Sequence, residues 1–140
     1  MKKLQRLQNA AARLVKRVKK RQHITPTLKQ LHWLPVVYRI KFKVALVTYK
    51  SLNGFAPPYV TNLLSRLRST RRDRLKLIVP QFRRKRLGGR AFKNCAPIIW
   101  NSLPLNVRSA ENVSTFKKLL KTYYFSKHFV VPEHMDENIS

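Results

Sequence analysis

Acidic residues are the scarcest chemistry in this chain. Five Asp and Glu stand against 31 Lys and Arg, giving a formal net charge of +26. Asp73 is the one acid before Glu111, and it sits within a run of arginines, where a structural ion pair is the expected role. Catalysis by paired carboxylates needs two acids that converge, and two-metal phosphoryl transfer needs carboxylates to hold the ions. The first four-fifths of the chain supplies neither. Cysteine is nearly absent too: Cys95 alone excludes an internal disulfide and suits a reducing compartment. With no base near it in sequence, it reads as a buried thiol. Cys95 with His23, His32, His128 and His134 matches no zinc-ligand spacing. The three glycines, Gly54, Gly88 and Gly89, make no phosphate-cradling loop. The longest charge-free runs, 51–65 and 94–107, both contain proline and are too short to span a bilayer. Lys and Arg break the first 22 residues too often for a secretory signal. The expectation is a non-catalytic chain with no cofactor, no metal and no membrane partner.

What is abundant is positive charge on a chain that is 44% hydrophobic, enough apolar content for a modest core within one domain or a piece of one. Residues 1–110 hold 27 Lys and Arg against Asp73, whereas 111–140 are balanced at four of each sign. Such an excess repels itself unless a polyanion neutralises it, and nucleic acid is the commonest one.

The pattern along the chain is mainly α: a small helical domain with room for a short β-hairpin around 75–87. Leu4, Leu7, Ala11, Leu14 and Val18 form one helical stripe, expected to dock on the core, with basic residues opposite. This 1–22 segment also has the look of a mitochondrial presequence, and its Lys16–Arg21 block that of a nuclear import signal or phosphate patch. Thr25 and Pro26 start a helix that Pro35 ends within the 23–64 region. Val36–Asn53 follows, its stripe Val37, Ile40, Val44 and Val47 widened by Phe42, Leu46 and Tyr49, with Gly54 as left-handed cap. This helix is taken as the core element. A short helix follows near Tyr59. The 65–90 region is a basic arm or hairpin, in which Pro80 demotes any strand to an edge. Five of the nine residues Arg66–Arg74 are arginine, and Arg83-Arg84-Lys85-Arg86 makes a second block. Within 91–129, Arg90–Leu103 reads as a helix broken at Pro97, with Phe92, Ile98, Ile99 and Trp100 inward. The last helix starts at Asn112 or Ser114, with Phe116, Leu119, Leu120 and Tyr123 inward. Residues 130–140 form an acidic tail.

Several ordered motifs carry a resemblance. They include Gln8-Asn9-Ala10-Ala11-Ala12-Arg13-Leu14-Val15, His23-Ile24-Thr25-Pro26 and Leu31-His32-Trp33-Leu34-Pro35-Val36. Arg39-Ile40-Lys41-Phe42-Lys43, Gly54 with Ala56-Pro57-Pro58-Tyr59, Arg90-Ala91-Phe92 and Trp100-Asn101-Ser102-Leu103-Pro104 continue the series. The chain resembles the extreme C-terminal region of reverse transcriptases from LINE-type (non-LTR) retrotransposons of the jockey and chicken-repeat kind, from Leu4 to about Phe129. That resemblance implies a thumb-like helical part that holds RNA template and DNA primer. The catalytic palm of the RNA-directed DNA polymerase would lie upstream, so polymerase activity is not expected here. Gly89 stands where the family commonly has Asp, and Gln22 where it has an acid, so both departures remove a carboxylate.

The residues expected to meet phosphates are Arg66, Arg68, Arg71, Arg72, Arg74, Arg83, Arg84, Lys85 and Arg86, with Lys16, Arg17, Lys19, Lys20 and Arg21 second. The expected partners are RNA or an RNA–DNA hybrid and the upstream polymerase domain, in the nucleus or cytoplasm. The alternatives are a basic structural protein of a mitochondrial or ribosome-like particle, and a transposon remnant without function.

Overall fold

Proline and glycine punctuate the chain, and the computed structural model, which describes residues 1–65, 75–81 and 91–130, follows them. The protein is mainly α. Among the described residues there are seven helices: α1 (Lys2–Lys16), α2 (Thr25–Gln30), α3 (Val36–Leu52), α4 (Pro58–Ser65), α5 (Phe92–Asn101), α6 (Leu105–Arg108) and α7 (Val113–Phe129). No strand is present among them. Of the hairpin region 75–87, residues 75–81 carry one isolated bridge position, Leu77, and 82–87 lie outside the described residues. The chain divides into two units, Met1–Ile40 with Lys121–Ser140, and Lys41–Leu120.

In the first unit, α1 docks on a polar face. Gln8 and Ala12 are buried, while Leu4, Leu7, Ala11 and Leu14 face solvent and Val18 is half-buried. The expected docking stripe therefore points outward. The reason lies at the start of α3, where Pro35 precedes a helix whose first amide has no partner of its own. Gln5 supplies one: its Oε1 accepts from the Val36 N–H at 2.9 Å, and Gln8 Nε2 donates to the Leu34 carbonyl at 2.8 Å. The two bonds satisfy backbone groups in a partly buried connector that would otherwise be left without partners. Helix α2 begins one residue earlier than the Thr25 cap predicts, with Ile24 at the cap position and Pro26 in the first turn. It ends in a Schellman turn, with the His32 N–H donating to Lys29 O and the Trp33 N–H to Leu28 O at 3.1 and 2.9 Å. His32 takes the left-handed φ of 51° that this turn demands. Leu28, Leu34 and Tyr124 are buried, and Tyr38 lies against Tyr124 with centroids 5.6 Å apart.

In the second unit the centre is aromatic. Tyr49 stacks on Phe116 at 4.2 Å, and Phe116 on Trp100 at 6.0 Å. All three are essentially fully buried, and the Tyr49 hydroxyl donates to Ala110 O at 2.8 Å. The buried side of α3 is Ala45, Thr48, Tyr49 and Ser51, while Val37, Ile40 and Val47 are exposed. Thr48 and Ser51 enter because each hydroxyl donates to the carbonyl four residues earlier, Val44 O and Val47 O, at 2.8 Å. Of the expected stripe Val37, Ile40, Val44 and Val47, Val44 is half-buried and the other three are exposed, while small polar residues that satisfy themselves share the buried face with Ala45 and Tyr49. Gly54 closes α3 with φ 78° as its cap, and the Phe55 N–H reaches Lys50 O at 2.8 Å. Helix α5 runs through Pro97 rather than breaking at it, and Ile98 points outward, not inward. Asn112 caps α7: its Oδ1 accepts from the Thr115 N–H at 2.8 Å.

Candidate nucleic-acid interface

The basic patch that can be placed is built on the end of α1. A Schellman turn ends the helix at Arg17, with φ 51°, as the Arg17 N–H meets Leu14 O and the Val18 N–H meets Arg13 O. A second turn follows, the Gln22 N–H donating to Lys19 O at 3.1 Å. Arg13 ties the two ends, its Nη2 donating to Gln22 O at 3.2 Å. The result is a short folded loop on which Lys16, Arg17, Lys19, Lys20 and Arg21 are all exposed. Helix α1 presents its negative dipole end here, which favours cations in its last turn. Glu111 is the sole acid among the described residues. Five cations on one short loop give a site for phosphate oxygens and carry no information about base sequence.

The other nine residues expected to contact phosphate, Arg66, Arg68, Arg71, Arg72, Arg74, Arg83, Arg84, Lys85 and Arg86, lie outside the described residues. The segment between the two arginine-rich runs is described, and it is pinned to α5. Trp100 Nε1 donates to Leu75 O at 2.6 Å. Asn101 then faces Leu77 like a neighbouring strand, accepting from its N–H at 2.9 Å and donating to its carbonyl at 2.7 Å. Leu77 is buried. The expectation that Trp100 belongs to the core rather than to a base-stacking surface holds. The role of Asn101 has no signal in the sequence, because a surface-type amide next to a tryptophan has no local pattern that points 24 residues back. Arg13 is a similar miss. It counts among the cations of α1 by sequence, yet it serves the loop's own backbone.

A cavity of about 210 Å³ opens beside this clamp, lined by Leu52, Asn53, Lys76, Trp100, Arg108 and neighbours. Arg108 is buried in its wall and donates from Nε to Leu103 O at 3.1 Å. Among the described residues no carboxylate lines it.

Burial raises the Cys95 thiol above its ordinary value, and Sγ donates to Phe92 O at 3.7 Å, so the thiol stays protonated at neutral pH. The Tyr124 hydroxyl is held well above the usual phenol range, by burial first and then by Tyr123 and Tyr38. It finds no hydrogen-bond partner among the described residues. No group of three or more His, Cys, Asp or Glu among the described residues could hold a metal ion. No helix among them is long and apolar enough to cross a membrane.

Comparison with protein-family models, curated proteins and solved structures returned no match.

Proposed function

We propose that this chain is a non-catalytic, nucleic-acid-binding, thumb-like piece of a LINE-type retrotransposon reverse transcriptase. It grips RNA or an RNA–DNA hybrid by its backbone, in the nucleus or cytoplasm. The single observation that carries the reading is the charge distribution: 27 Lys and Arg against one acid over residues 1–110, on a helical fold whose loop 16–21 displays five cations. A polyanion relieves the self-repulsion of such a chain, and release of its counterions drives binding. The family assignment rests on the ordered motifs from Leu4 to about Phe129. Catalysis belongs, on this reading, to an upstream polymerase domain, and the solvent-facing Leu4, Leu7 and Leu14 of α1 suit contact with it.

The test is a charge-reversal series read against a labelled RNA–DNA hybrid. Lys19→Glu, Lys20→Glu and Arg21→Glu, all at exposed positions, lower affinity and flatten its salt dependence without altering the fold. Unchanged affinity in the triple variant removes loop 16–21 from the interface.

A further inference from the structure

Every Phe, Tyr and Trp in the described segments is at least half-buried except two. Phe55 and Tyr59 are 66% and 72% exposed. A single exposed leucine is ordinary, but an aromatic ring left in water withholds a large apolar area from the core. Neither ring hangs on a loose loop. Phe55 follows the left-handed Gly54, and its N–H is fixed to Lys50 O at 2.8 Å. The Ala56 and Pro57 carbonyls accept from Thr61 Oγ1 at 3.4 and 3.3 Å, and the Val60 N–H reaches Pro57 O at 3.0 Å. Pro57 and Pro58 stiffen the step into α4, whose first turn carries Tyr59. Two rings are therefore presented on a backbone that loses little freedom on binding.

Charge selects the occupant. Lys50 precedes the two rings in sequence, and residues 1–110 as a whole carry 27 Lys and Arg against one acid, Asp73. A second copy of this chain brings the same positive charge and is repelled. A nucleic-acid strand brings phosphates for the cations, and if it is unpaired it also brings exposed base faces for the rings.

We infer that Phe55 and Tyr59 form a stacking platform for unpaired bases, so that this chain prefers single-stranded over duplex nucleic acid. The inference rests on the nucleic-acid reading above and adds to it the state of the strand. Stacking on aromatic faces tolerates any base, so the preference is for strandedness and not for sequence.

The experiment uses the full chain and fluorescence anisotropy at fixed salt, with a labelled oligouridylate single strand and a labelled blunt duplex. Phe55→Ala/Tyr59→Ala and Phe55→Leu/Tyr59→Leu are compared with the parent, their helicity checked by circular dichroism. Both double variants lose single-strand affinity, on the order of tenfold per ring, and keep duplex affinity. Unchanged single-strand binding in the alanine variant overturns the inference. So does retention by the leucine variant, which would mean that apolar bulk and not a ring face holds the strand, and so does equal loss on both probes. If the parent binds the duplex normally and prefers it, only the stacking inference fails. If the parent binds neither probe, the nucleic-acid reading fails with it.

Discussion

Asn101 stands in for a β-strand. Its side-chain amide accepts from the Leu77 N–H at 2.9 Å and donates to the Leu77 carbonyl at 2.7 Å, completing the pairing a neighbouring backbone would give. Because Leu77 is buried, neither group has ready access to water. Asn101→Ala thus leaves a donor and an acceptor unpaired, at a cost of about 2 kcal/mol. Asn101→Asp retains the acceptor and loses the donor, so it falls between the two. Urea denaturation measures the series, and hydrogen exchange at the Leu77 amide should quicken in step. Exchange unaffected by Asn101→Ala would show that the clamp does not hold the segment.

Gln8 is a second side chain that substitutes for backbone, at the Leu34 carbonyl. Gln8→Leu keeps the volume and removes the donor. The variant is less stable by about 1–3 kcal/mol even though it adds apolar area, because the buried acceptor is left unsatisfied. A gain in thermal midpoint would contradict the polar docking of α1.

Left-handed caps give opposite signs at two positions. A Cβ added at Gly54 would meet open space, so only the φ of 78° resists substitution, and Gly54→Ala costs about 1 kcal/mol. Arg17 carries the same strain at φ 51°. Arg17→Gly relieves it but frees the unfolded chain, leaving a net change within about 1 kcal/mol of zero on the stabilising side. Chemical denaturation of both variants checks the pair.

Tyr124 gives a pH signature. Its folded pKa is raised above the unfolded phenol value of about 10, so the folded state holds its proton more tightly. That contribution is fully present below pH about 10 and is lost as pH rises through the folded value. Tyr124→Phe removes the titration and an unpartnered hydroxyl together. Its stability at neutral pH equals or exceeds the parent's, and its alkaline decline is shallower. Parallel alkaline profiles would refute the assignment.

Helix placement is readable from sequence because punctuation is local: Pro35 precedes α3, Gly54 ends it and Asn112 caps α7. Which face of a helix is buried is less readable. Leu4, Leu7 and Leu14 look like a docking stripe, and Val37, Ile40 and Val47 like another, but both face water. In each case polar side chains take the inner face, Gln5 and Gln8 for a neighbouring connector and Thr48 and Ser51 for their own helix. Apolar periodicity carries no term for hydrogen bonds made across 26 or 31 residues. Pro97 misleads as well: it lies buried inside α5, which continues through it to Asn101. At the candidate interface, loop 16–21 is readable from charge alone. Its fold depends on Arg13 reaching Gln22, and that is not.

The most direct test of the central claim is the salt dependence of binding between the purified full chain and an RNA–DNA hybrid. Engagement of about six to ten phosphates predicts a linear fall of log affinity with log salt, amounting to roughly a thousand-fold or more between low and moderate ionic strength. Absence of binding at low salt, or a flat profile, would contradict it.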